Sequence, residues 1–252
     1  MVALEYDISR CVDSETLPWE AYAPAGWPEG LKVRALRRLK TDGSLRSAIL
    51  EVPAGWSSSG RHISRADEQG YVLSGDLQIG ETSLGPDAFY FCAGRNARGA
   101  FGSMGGARVV LILGGPQGFR PAGAGPEKGS YAHASAQALP AFEPEIDGMK
   151  TGTTRRVLWE DPVSGADTRY LTVKGGFEGR GANWHPVHEE IFCLEGDIGP
   201  DDTRIMKPGF YLHNPAFGVH GFHEHSRGGA AILEWHDGKW SLNMYEGGGG
   251  AQ

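Results

Sequence analysis

The chain repeats itself. Setting Glu68 against Glu189 fixes an offset of 121 residues, and with no gap the same offset pairs Arg34 with Arg155, Leu50 with Leu171, Val52 with Val173, Gly55 with Gly176, Gly60 with Gly181, Leu73 with Leu194, Gly75 with Gly196 and Asp76 with Asp197. Self-similarity at a fixed spacing decides architecture first, because each copy faces the same packing problem. The runs Ser47 to Val52 and Arg169 to Val173 both read as strands closed by a glycine turn. Short strands at even spacing predict an all-β chain built from jelly-roll or barrel units. The 39 glycines among 252 residues favour turn-rich β structure over a helical bundle.

The second copy concentrates the chemistry. Of nine histidines, seven fall between His185 and His236. Glu189 to Glu195 reads as a strand ended by the Gly196-Asp197 turn, and alternation puts Glu189, Ile191 and Cys193 on one face with Glu190 on the other. Pro208-Gly209 opens a strand from Phe210 to His213, Asn214-Pro215 closes it, and Gly218-Val219-His220 begins another. If these strands are barrel neighbours, His185, Glu189 and His220 converge. Two imidazoles and a carboxylate suit non-heme Fe(II) and also accept Zn, Mn, Ni or Cu, so the ligand set alone does not choose the metal. A buried glutamate beside two imidazoles is costly without a neutralising cation, which favours a metal site over a plain hydrogen-bonded core.

The wording HEEIFCLEGDI, followed by PGFYLHNPAFGVHG, resembles the two motifs of the cupin superfamily and is most similar to the ChrR-like cupins. Those include anti-sigma metal-sensor domains and dioxygenases that cleave acetylacetone or aryl ketones. The resemblance implies two tandem cupin barrels of jelly-roll type, a bicupin. It also implies a mononuclear divalent metal held at the positions of Asn183, His185, Glu189 and His220. Asn183 departs from the pattern, which has histidine there; a neutral amide oxygen binds late transition metals more weakly than imidazole. His188 completes the set only if the turn bends it inward. His213 and His236 are candidates for orienting a ligand or serving as general base.

The first copy is chemically poorer. His62 replaces Asn183, Ser64 replaces His185, Glu68 matches Glu189, and Arg98 falls opposite His220 after one inserted position. Two protein ligands rarely hold a catalytic metal. This barrel is expected to be metal-free, with Arg98, if it points inward, offering a guanidinium fork to Glu68.

These readings divide the chain into an N-terminal arm over 1–33, which packs Trp19 and Trp27 onto a barrel, a first barrel over 34–115 and a Pro/Gly/Ala-rich linker or arm over 116–150. A second barrel over 151–244 and a disordered glycine tail over 245–252 complete it. The expected activity is oxygenase-type, on a small organic substrate whose ketone, enol or hydroxyl oxygen the metal chelates. A non-redox isomerase, decarboxylase or hydrolase and a metal-binding sensor are the alternatives. The net charge of −7, with no Lys/Arg cluster, argues against nucleic acid as a partner. No apolar run approaches the roughly 20 residues of a membrane helix, and MVALEYDISRCV carries no basic-then-apolar leader, so a cytoplasmic location is expected. Three scattered cysteines, Cys11, Cys92 and Cys193, argue against disulfides and thiolate zinc. A small molecule is the expected partner, with a homodimer left open.

Overall fold

The computed structural model describes residues 8–58, 60–123, 129–146 and 148–246. Its regular elements are β-strands, apart from one 3-10 turn at Ser14–Thr16 among the described residues. The described residues form two compact units, one within 17–138, the other from 8–16 and within 139–246.

The main sheet of unit 1 runs Tyr131–His133, Phe89–Cys92, Glu68–Gly75, Ala107–Leu113, Leu45–Val52, Leu31–Arg38 and Glu20–Tyr22, each neighbour antiparallel. That of unit 2 runs Arg10–Asp13, Phe210–Asn214, Glu189–Gly196, Ala230–His236, Asp167–Val173 and Thr153–Glu160. Five strands, from Phe89–Cys92 to Leu31–Arg38 and from Phe210–Asn214 to Thr153–Glu160, therefore follow one order in both units. The offset read from the sequence is an offset between equivalent strands. It also explains the repeated Gly-Asp pair. Gly75 and Gly196 adopt φ of +80° and +73°, and a Cβ on either would stand 1.9 or 2.0 Å from a carbonyl oxygen of the neighbouring strand turn. Asp76 then accepts backbone N–H bonds from Met104 and Gly105, and Asp197 accepts them from Arg227 and Gly228.

Alternation sets the faces. Ile191 and Cys193 enter the core of unit 2 with Leu171, Val173, Leu212 and Ile232, which turns Glu189 inward as well, since a strand repeats its facing every second residue. The core of unit 1 is more aromatic: Trp27 stacks on Phe119 with ring centroids 3.8 Å apart and also lies against Phe101.

Two segments differ from the sequence reading. The region assigned to an arm over 1–33 is divided: Arg10–Asp13 forms the edge strand of unit 2, and Trp27 is a core residue of unit 1. The region assigned to a linker supplies two strands of unit 1. Phe119–Pro121 pairs with His62–Ser64, and Tyr131–His133 with Phe89–Cys92. The cause is Phe119, whose burial against Trp27 outweighs the Pro/Gly composition around it; burying a phenylalanine is worth about 1.5–3 kcal/mol. Of the tail, residues 247–252 lie outside the described residues. No helix among the described residues is long and apolar enough to cross a membrane.

Candidate metal centre

Two strands of unit 2 and an isolated bridge bring His185, Glu189 and His220 together. Glu189 opens the strand Glu189–Gly196. The Asn183–Trp184 strand and an isolated bridge between Asn183 and His220 draw the two imidazole-bearing segments beside it. The Nε2 atoms of His185 and His220 are 3.2 Å apart, and each lies 3.4 Å from one oxygen of the Glu189 carboxylate. With metal–ligand bonds of about 2.1 Å, ligand atoms sharing one tetrahedral or octahedral face stand about 3.0–3.4 Å apart, so the triangle has the size that one ion spans.

The tautomers agree with this. His185 Nδ1 lies 2.9 Å from the carbonyl oxygen of Ser241, and His220 Nδ1 lies 2.9 Å from that of Gly218. A carbonyl only accepts, so both Nδ1 atoms carry protons, and each ring, when neutral, presents its Nε2 lone pair to the same point. Facing lone pairs beside a carboxylate repel one another unless a cation or proton lies among them. Burial holds the His185 pKa below its ordinary value despite Glu189. Burial opposes protonation of His220 too, but there the carboxylate prevails and the pKa rises. For Glu189 burial acts upward, and the three imidazoles of His185, His220 and His236 outweigh it, holding the carboxyl well below the usual range.

The Glu189 carboxylate is held from behind. Asn214, its cross-strand neighbour, donates from Nδ2 at 2.8 Å and accepts at Oδ1 from the Ser9 hydroxyl at 2.7 Å. His236, opposite Glu189 on the other side, places Nε2 3.4 Å from Glu189 Oε1 and Nδ1 2.7 Å from Asp167 Oδ1. Burial disfavours the imidazolium of His236, but Asp167 and Glu189 outweigh it and raise the pKa to about 9. With that proton both nitrogens donate and His236 orients Glu189 from behind; His236, Glu189 and Glu234 also bring ligand atoms within 4.8 Å of one another, a second group that could hold a metal. Arg169 closes the shell by pairing with Asp167 and, at 3.6 Å, with Glu234.

The triangle opens on a cavity of about 110 Å³ walled by Leu171, Ile191, Leu212 and Ile232 and by the polar Asn183, Arg155 and Glu224. Asn183 donates from Nδ2 to the Gly181 carbonyl at 3.1 Å, which fixes its amide, while its buried Oδ1 has no hydrogen-bond partner. A buried acceptor without a donor loses about 1–3 kcal/mol, and a cation or a hydroxyl in the cavity would satisfy this one. With two Nε2 lone pairs, a carboxylate and this amide oxygen, the residues present fit a divalent transition metal.

Glu224 is a site residue that the sequence did not single out, since the polar run His223-Glu224-His225-Ser226 has the composition of a surface turn. Pairing of Phe177–Glu178 with His225–Ser226, and the 2.7 Å bond from Gly179 N–H to the Glu224 carbonyl, fold that turn over the cavity mouth. Burial and then the charge of Glu189 push the Glu224 carboxyl up to about 7.

His213 lies elsewhere, which corrects its assignment as a candidate general base. Its neighbours Leu212 and Asn214 face the cavity, so His213 points to the opposite side of the sheet, where its Nε2 is 3.0 Å from His188 Nδ1 and the rings stack. His188 is turned away with it. Nor does His236 line the cavity; it reaches the carboxylate from behind.

Unit 1 holds the same frame with different chemistry. His62 pairs with Arg98 as Asn183 does with His220. The Arg98 guanidinium meets both Glu68 oxygens at 3.0 and 3.1 Å and donates from Nε to His62 Nε2 at 2.8 Å, while Tyr90 donates its hydroxyl to Glu68. All four side chains are buried. A guanidinium supplies the positive charge at the position equivalent to the triangle of unit 2. Burial and then Arg98 lower the His62 pKa to about 4.

No family model matches the sequence, and no curated protein matches it. Solved structures do. A Nostoc punctiforme protein provisionally named a dioxygenase superposes with a TM-score of 0.83 at 17% identity, over 96% of this chain and 88% of that one. A Pseudomonas aeruginosa protein provisionally named glyoxylate-induced gives 0.65 at 12%, over 97% and 94%. Oxalate decarboxylase of Bacillus subtilis gives 0.56 at 11%, over 93% and 78%. At such identities the likeness shows the fold alone. That fold is all-β, built of antiparallel sheets in jelly-roll barrels.

Proposed function

We propose that the chain is a bicupin enzyme that depends on one divalent transition metal in unit 2, with an oxygenase-type reaction on a small organic substrate. The observation that supports this most is the Glu189 carboxylate, buried between two imidazole lone pairs and open to a cavity holding the unpartnered oxygen of Asn183. His185, Glu189 and His220 would hold the metal, Fe(II) before Zn, Mn, Ni or Cu, with Asn183 as fourth ligand or as acceptor for a substrate hydroxyl. When bound, the metal supplies Lewis acidity to a ketone, enol or hydroxyl oxygen of the substrate.

The residues of the chain do the rest. The aliphatic wall keeps water out and admits a substrate of a few heavy atoms, since drug-sized ligands need cavities of about 300 Å³ or more. Glu224, with a carboxyl pushed up to about 7, takes the proton that an acidified substrate releases. His236 and Asn214 hold Glu189 in register. Proton removal by Glu224 also serves a non-redox isomerase or decarboxylase, so oxygen use is the point to measure.

Elemental analysis of protein purified without a metal-binding tag should give about one transition-metal atom per chain, falling to a trace in His220→Ala. Oxygen uptake on adding acetylacetone or an aryl ketone separates the oxygenase from the lyase or isomerase. Bound metal with no turnover of either probe would favour a sensor. Metal-free protein of undiminished activity would remove the proposal.

A further inference from the structure

We infer that unit 1 carries a second binding site, for a small oligoanion of the phosphate or polycarboxylate class, in the groove where Arg65, Arg95 and Arg120 converge. The groove encloses about 580 Å³ and is lined by residues of unit 1 alone, with Ala25, Ile63 and Phe119 among its apolar walls. All three arginines are exposed, and among the described residues none of their guanidinium groups has an ion pair or side-chain hydrogen bond. Gathering three cations that have no counter-charge among the described residues is unfavourable in water and more so at an apolar surface. In a chain of net charge −7 it does not reflect a general surplus of basic residues.

The arginines are fixed at the backbone. Arg65 N–H donates to Gly118 O at 2.9 Å, Arg95 N–H donates to Ser64 O at 2.8 Å, and Arg120 lies opposite Ile63 in a strand pair. Gln117 clamps the turn between them by donating to the carbonyls of Ala66 and Asp67. Arg95 has φ of +63°, a left-handed conformation that disfavours any side chain beyond glycine. Its counterpart in unit 2 is Phe217, also at +63°, whose N–H donates to His185 O at 2.7 Å as that of Arg95 does to Ser64. One strained turn thus presents an exposed aromatic ring beside Trp184 in unit 2 and a guanidinium in unit 1. Beneath it the barrel of unit 1 is filled by Arg98, Glu68 and Phe119, so a ligand stays in the groove. Three forked donors around a compact space match an anion with several oxygens.

The test uses the full chain, comparing sodium phosphate and sodium citrate with sodium chloride at matched ionic strength by thermal melting and isothermal calorimetry. About 5 mM of the preferred anion should raise the melting temperature by several degrees through mass action. Arg65→Ala/Arg120→Ala should lose that shift and bind at least tenfold more weakly. Arg95→Gly removes a guanidinium while relaxing the turn, so it should melt no lower in chloride and also lose the shift. A response to citrate alone assigns a polycarboxylate, and one to phosphate alone a phosphate. Equal shifts in parent and variants, or no shift and no heat in the parent, would overturn the site.

Discussion

Replacing Arg98 by histidine should convert the filled centre of unit 1 into a metal site. The guanidinium makes two bonds to Glu68 and one to His62, all buried, and its loss leaves the carboxylate with the Tyr90 hydroxyl. Removing one partner of a buried ion pair costs about 3–5 kcal/mol, so in chelator Arg98→His and Arg98→Met should both lose that much. Only the histidine variant recreates two imidazoles and a carboxylate, because residue 98 pairs with His62 as His220 pairs with Asn183. Saturation with Co(II) or Zn(II) at a hundred times the dissociation constant should return about 2.7 kcal/mol to Arg98→His and nothing to Arg98→Met. Urea denaturation followed by tryptophan fluorescence is suitable, since Trp27 packs against the His62 ring. A His220→Ala background keeps the cluster of unit 2 from contributing. The reasoning fails if Arg98→His is as stable as its parent in chelator, or if metal shifts both variants alike.

Three further outcomes are expected. Asn183→His should tighten metal binding at least tenfold by exchanging a neutral amide oxygen for imidazole, measured by competition with a chromophoric chelator; unchanged affinity would place residue 183 outside the ligand set. If Glu224 acts as the base it must be ionised, so kcat/KM should rise with pH through about 7, and Glu224→Gln should abolish both the acidic limb and most of the rate. Burial and Arg98 lower the His62 pKa to about 4 in the folded chain against an unfolded value near 6.5. The unfolded chain therefore binds the proton more readily across that window, and about 3 kcal/mol should be lost as pH falls from about 6.5 to about 4. Urea denaturation from pH 7 to 4 checks this against His62→Gln, which should flatten the profile.

Much of the frame was legible because period and offset are properties of short stretches. Alternation alone turned Glu189 inward with Ile191 and Cys193, and the match of Glu68 with Glu189 located equivalent strands in both units. His185 and Glu189 could be read together, being four residues apart. His213 could not, since a strand bounded by Gly209 and Pro215 does not reveal which of its two faces meets the core. Glu224 was hidden for another reason: what turns it inward is pairing with Phe177–Glu178, over forty residues earlier, and no local signal encodes that. The same limit applies to Phe119, whose Pro/Gly surroundings read as linker until Trp27 is found against it.

The edge strand Arg10–Asp13 has a consequence for assembly. It belongs to unit 2, yet the whole of Leu17–Ala138 intervenes before the strand it pairs with, Phe210–Asn214. During synthesis that segment must wait, unmatched, while roughly two hundred residues emerge. Once docked, it delivers the Ser9 hydroxyl to Asn214, which in turn grips Glu189. The geometry around that carboxylate is therefore completed by segments about two hundred residues apart in the chain, and an excised 139–252 fragment would keep every candidate ligand while leaving a bare sheet edge and a slack Asn214.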